Sequence, residues 1–205
     1  MTTRSHASLW WLALPFCLVL VLTLALTLPR GVAFDVYSLA RIAALLGYQL
    51  VFLSVLSSAL VRPLVKTFGR PFIGLHHILA ISGLVCLAAH AALVNIAWGE
   101  SLPEGGSLAD FLHLAGEPAL GLFVLAALGA VFRKRLKGAW PVVHALTYVA
   151  FLLGTIHATT APFTTDLQST GVRVVAWLMA LVVVGVFVAR RTLLKRPAPA
   201  SRRSR

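Results

Sequence analysis

Four histidines, His76, His90, His144 and His157, lie inside two long apolar stretches, 14 residues apart in the first and 13 apart in the second. Imidazole is both ionisable and metal-ligating, and placing it at membrane depth costs enough that it usually marks a functional site. At about 1.5 Å of rise per residue, those separations put the two rings of each helix roughly 20 Å apart along its axis. Two such helices side by side supply an upper and a lower pair of ligands. Neutral imidazole is a common axial ligand of haem iron, and a bis-imidazole site leaves no open coordination position, which suits electron transfer. Two haems, one near each face of a bilayer, are therefore the expectation.

The elements that carry these residues follow from composition. The chain has 205 residues, is 59% hydrophobic and only 12% charged, which is the signature of an integral membrane protein. Crossing roughly 30 Å of hydrocarbon takes about 20 residues of helix. Six spans are expected, at approximately 8–28, 37–60, 72–97, 117–132, 140–160 and 172–189, forming one all-α bundle over residues 1–205. The fourth is the shortest, with Pro118 a natural first-turn residue. The segment 190–205 is too polar to fold and reads as a basic tail. The first span is read as a retained helix, because its apolar core from Leu9 to Leu28 exceeds that of a signal peptide and no small-x-small cleavage site follows. Cys17 and Cys86 sit singly in apolar segments and support neither a disulfide framework nor a metal site.

A net charge of +12 suggests a nucleic-acid partner until its distribution is read. With the N-terminus inside, 15 of the 18 basic residues fall on the inner side: Arg4, then Arg62, Lys66 and Arg70, then Arg133, Lys134, Arg135 and Lys137, then seven in the tail. The six acidic residues (Asp35, Glu100, Glu104, Asp110, Glu117 and Asp166) fall in or beside the opposite loops. The basic bias is the positive-inside rule acting on short loops, and it predicts both termini in the cytoplasm. Topology accounts for the charge, and no nucleic acid is implied.

That topology orders the histidines by depth. The third and fifth spans both run from inside to outside, so His76 or His77 pairs with His144 at the inner face, and His90 pairs with His157 at the outer. Helical phase is a second test. A separation of 14 leaves His76 and His90 roughly 40° apart, on one face, whereas 13 leaves His144 and His157 about 140° apart. The fifth span is thus expected to need a kink, a π-bulge or opposed rotamers, with Gly154 as the weak point. The same phase favours His76 over His77, which stays the alternative inner ligand. A single intramembrane histidine more often only hydrogen-bonds a neighbouring helix. Four at matched depths on parallel helices are harder to explain that way. A proton relay would normally add membrane-embedded carboxylates, and no Asp or Glu lies in the middle of any span.

The stretch Phe72-Ile-Gly-Leu-His76-His77-Ile-Leu-Ala-Ile-Ser-Gly83 with His90, followed by Trp140-Pro-Val-Val-His144 and Gly154-Thr-Ile-His157, resembles the ferric reductase-like transmembrane domain. That superfamily includes NADPH oxidases, ferric reductases and MsrQ, the haem-binding subunit of the periplasmic methionine sulfoxide reductase system. The resemblance covers nearly the whole chain and implies two b-type haems with His76, His90, His144 and His157 as axial ligands to iron. His77 would occupy the position where the family motif often carries arginine. The sequence contains no GxGxxG fingerprint followed by a helix and an acidic residue. It is therefore expected to lack its own flavin and nicotinamide domain and to act as a haem-dependent oxidoreductase component.

The expected function is electron transfer across a membrane, that of a bacterial cell, from a cytoplasmic flavoprotein or quinol to ferric iron, dioxygen or a periplasmic partner enzyme. FMN or a quinone is a further candidate cofactor. The runner-up is a single-haem, MsrQ-like subunit, since MsrQ proteins tend to carry basic residues at the place of His76. A haem-free transporter or an assembly subunit is the alternative from another class. Around the ligands, Arg41 is a candidate contact for outer haem propionates, with snorkelling to the interface as its other reading. Arg70, with Arg62 and Lys66, is the inner counterpart, although positive-inside bias also explains this group. His113 reads as a solvated loop histidine or part of an acceptor site, and the Arg133–Lys137 cluster as topology or as a dock for an acidic donor.

Overall fold

The computed structural model describes residues 17–23, 25, 35–59, 71–98, 114–160 and 169–192. Every long element among them is an α-helix. Residues 17–23 form a described piece of α1. It is followed by α2 (Val36–Ala59), α3 (Pro71–Trp98), α4 (Gly116–Val131), α5 (Trp140–Thr160) and α6 (Ser169–Thr192). Four stretches are long and apolar enough to cross a membrane: Val36–Ser58, Gly74–Ala97, Arg133–Thr160 and Thr170–Thr192. With 16 residues, α4 is shorter and spans roughly 24 Å. Most of the first expected span, the segment 60–70 and residues 193–205 lie outside the described residues, whereas 190–192, expected to begin an unfolded tail, form the last turn of α6, where the helix runs on past its apolar span.

The ends of these helices are set by local chemistry. Asp35 precedes α2 and its carboxylate accepts the Ser38 N–H at 2.6 Å, satisfying a donor that the first turn leaves orphaned. That bond holds the Asp35 carboxyl below the usual carboxylate range. Proline opens α3 at Pro71 and sits one residue into α5 at Pro141, where its missing N–H costs nothing. Between α4 and α5 the chain reverses through a helical turn, Arg133–Leu136, and a 3-10 turn, Lys137–Ala139. Lys137 takes φ 46° there. So short a connection makes α4 and α5 adjacent antiparallel neighbours.

Packing divides the bundle into tight pairs, α2 against α3 and α4 against α5, with α6 lying on α5 and α2. Glycine lets the backbones of α2 and α3 approach closely: a Cβ on Gly83 would stand 2.8 Å from Val51 Cγ2 and 3.0 Å from its backbone nitrogen. Small residues play this part between membrane helices, where lipid removes the hydrophobic drive for helices to associate. The core joins Val51, Val55, Phe123, Ala150, Phe151, Ala180 and Val183. Outside it, Ile81, Val85, Val142, Leu178 and Leu181 are exposed, an arrangement suited to an apolar surround. Polar side chains turn inward: Tyr48 Oη lies 2.7 Å from Thr155 Oγ1 and 3.1 Å from the Ala176 carbonyl, linking α2, α5 and α6.

Candidate functional site

The helices α3 and α5 are not one of the tightly packed pairs, yet their histidines meet across the gap at two levels. The His76 and His144 ring centroids are 6.3 Å apart, with planes at 79°. The His90 and His157 centroids are 6.2 Å apart, with planes at 60°. An imidazole nitrogen binds a transition metal at roughly 2.0–2.1 Å, and the ring centre lies about 1.2 Å behind it. Two axial rings on one metal ion therefore hold their centroids roughly 6.4 Å apart. Both pairs meet that spacing.

The rear edges of the rings are anchored to the flanking helices. His90 Nδ1 lies 3.0 Å from the Ala40 carbonyl of α2. His144 Nδ1 lies 3.2 Å from the Ala126 carbonyl of α4. His76 Nδ1 lies 3.0 Å from the Ser54 carbonyl and 3.0 Å from the Ser54 hydroxyl, both on α2. A carbonyl oxygen can only accept, so each Nδ1 carries the proton and each Nε2 carries the lone pair. This is the second-shell arrangement that orients a metal-binding imidazole and raises its basicity. The start of α4 lies close against His157: a Cβ on Gly116 would stand 3.0 Å from three of its ring carbons, so glycine eases this approach.

Each site offers two ring nitrogens. No group of three or more His, Cys, Asp or Glu side chains able to hold a metal ion exists among the described residues. A bare tetrahedral ion wants four protein ligands, or three and a water. A pair facing across one axis instead suits a metal that brings its own equatorial ligands, as haem iron does. The centroid spacing at both levels is the one such a group would need. Between the levels, Phe151 is fully buried and stacks on Tyr48 at 4.6 Å, so the space separating the pairs is apolar core.

His77 does not share the site. It is exposed, its ring 5.6 Å from that of His76, and His76 is the ring opposite His144. Through Gly154, α5 remains α-helical without a π-bulge or a break. Of the three expected alternatives, a kink, a π-bulge or opposed rotamers, the π-bulge is absent from this helix. Arg41 is half-buried, one residue past the carbonyl that holds His90, with its guanidinium 5.8 Å from the Tyr37 ring centroid. Arg70, Arg62, Lys66 and His113 lie outside the described residues. Arg133, Lys134, Arg135 and Lys137 are all exposed on the turn between α4 and α5.

Several participants were not singled out from sequence. Ser54 and Gly116 are two. Arg190 is another, counted only as a tail charge, whose guanidinium donates to Ser58 Oγ at 3.3 Å beside the inner pair. The serines at 54, 57 and 58 are visible as a polar patch in an apolar span, but nothing in the sequence says which helix they face. Comparison with protein-family models, with curated proteins and with solved structures finds no match to this chain.

Proposed function

We propose that this chain is the haem-bearing membrane part of a transmembrane electron-transfer system, holding one b-type haem between His76 and His144 and a second between His90 and His157. The observation that carries this reading is the centroid spacing of 6.3 and 6.2 Å in two pairs at opposite ends of the same two helices. Haem, when bound, supplies a one-electron iron couple. The protein's own part would be to offer the Nε2 lone pairs of His76 and His144, and of His90 and His157, to such a group, and to keep the layer between the pairs apolar. Arg41 and Arg190 stand near the outer and inner pairs respectively, where a guanidinium would offset propionate charge.

In this reading the chain has six spans with both termini in the cytoplasm of a bacterial cell, so that α3 and α5 run outward. The exposed Arg133, Lys134, Arg135 and Lys137 then face the cytoplasm and would receive an acidic flavoprotein donor, a quinol being the alternative. The acceptor on the outer side is ferric iron, dioxygen or a partner enzyme. The resemblance to the ferric reductase-like domain rests on the same four histidines and accords with this assignment.

Haem content of the purified protein tests it, together with a reduced-minus-oxidised spectrum. Two haems per chain are expected, falling to one in His90→Ala. A single haem in the unaltered protein would leave only one pair as a site, as in an MsrQ-like subunit. No haem at all, or an undiminished complement in His90→Ala, overturns the assignment.

A further inference from the structure

His76 differs from His90 and His144 in what grips its rear nitrogen. Among the described residues, His90 and His144 each meet one carbonyl there, Ala40 O at 3.0 Å and Ala126 O at 3.2 Å. The N–H of His76 instead points between two acceptors on one residue, Ser54 O and Ser54 Oγ, each at 3.0 Å. The Ser54 hydroxyl passes its own proton to the His76 carbonyl at 3.3 Å, leaving its lone pairs to accept from the ring. A third group regulates this cradle: Ser57 Oγ donates to the same Ser54 carbonyl at 2.8 Å. Ser54 and Ser57 are both buried, at 4% and 7% exposure, so water does not compete for these bonds.

The electrostatic consequence has a sign. An acceptor pulling on Nδ1–H moves negative charge into the ring and makes Nε2 a stronger donor. A stronger axial donor favours the more highly charged, oxidised iron, which lowers the reduction potential. Two acceptors pull harder than one. Ser57 works the other way, because a carbonyl already accepting one hydrogen bond is a weaker acceptor for a second.

We propose that Ser54 is a positioning residue that lowers the reduction potential of an iron centre held by the inner histidine pair, with Ser57 trimming its effect. This inference rests on the two-haem reading, and the experiment separates the two. Full-length protein is loaded with haem, its haem per chain is counted, and each centre is titrated by spectroelectrochemistry. The inner centre is identified in a His90→Ala background that lacks the outer one. Ser54→Ala should change the oxidised-to-reduced ratio of the inner centre at fixed potential by about threefold, an upward shift of roughly 30 mV at 59 mV per tenfold for one electron. The outer midpoint should stay in place. Ser54→Thr, which keeps the hydroxyl, should restore the inner midpoint, and Ser57→Ala should move it the opposite way, downward.

Opposite signs from neighbouring serines are not what a merely structural role produces. Unmoved inner midpoints in both alanine variants, or equal shifts at both centres, overturn the proposal while leaving two-haem binding intact. Protein without haem overturns the functional reading and this one with it. Should Ser54→Ala fail to retain the inner haem, Ser57→Ala decides alone: a downward inner shift supports the proposal, and none overturns it.

Discussion

At the scale of single residues, the adjacent His76 and His77 show how one position of helical phase separates a ring in the pair from one outside it. A step of one residue rotates a side chain by about 100°, which carries His77 out of the gap between α3 and α5 and onto an exposed face. The two substitutions should therefore part cleanly. His76→Ala is expected to reduce haem content from two per chain to one, whereas His77→Ala retains both, measured by haem extraction and difference spectroscopy. Equal losses in the two variants would return His77 to the site. The depth and spacing of these residues were legible in sequence because both follow from a fixed rise per residue. Their rear hydrogen bonds were not. Ala40, Ala126 and Ser54 act at the site through backbone carbonyls, and a carbonyl has no residue type to read.

At the scale of elements, the site depends on how closely pairs of helices approach. Gly116 begins α4 against the His157 ring, where a Cβ would already lie 3.0 Å from three ring atoms. A valine there adds branched bulk to a contact that barely admits one carbon. Gly116→Val should displace His157 and cost the outer haem selectively, leaving one haem per chain with the inner midpoint unchanged. Retention of both haems with an unaltered spectrum would show that α4 does not brace this ring. A glycine at the start of an expected span reads from sequence as a helix-end residue, since close approach to another helix leaves no local mark. Phase arithmetic left a kink, a π-bulge or opposed rotamers as ways for α5 to present both rings, and the helix is α-helical throughout. The arithmetic compares Cα directions on an ideal rod, whereas His144 and His157 reach partners on a different helix through side chains of appreciable length.

At the scale of the whole molecule, the orientation is the point on which the inner and outer labels depend. Lys137 and Thr160 mark opposite ends of α5, and both are exposed. In a background with Cys17 and Cys86 replaced by serine, Lys137→Cys should react with a membrane-impermeant maleimide only in inside-out vesicles. Thr160→Cys should react only in right-side-out ones. The reverse pattern would invert the topology and with it the direction of electron flow. The amino-acid sequence alone determined that the chain is helical, that its apolar segments can span a bilayer, and that four imidazoles stand at two depths. These properties follow from composition, charge order and helical rise, which are local or additive along the chain. Only the tertiary structure decided which ring faces which, and what holds His76, His90 and His144 from behind. Those outcomes depend on the mutual rotation and approach of separate helices, set by glycine contacts such as Gly83 on Val51 and Gly116 on His157, between residues distant in the chain.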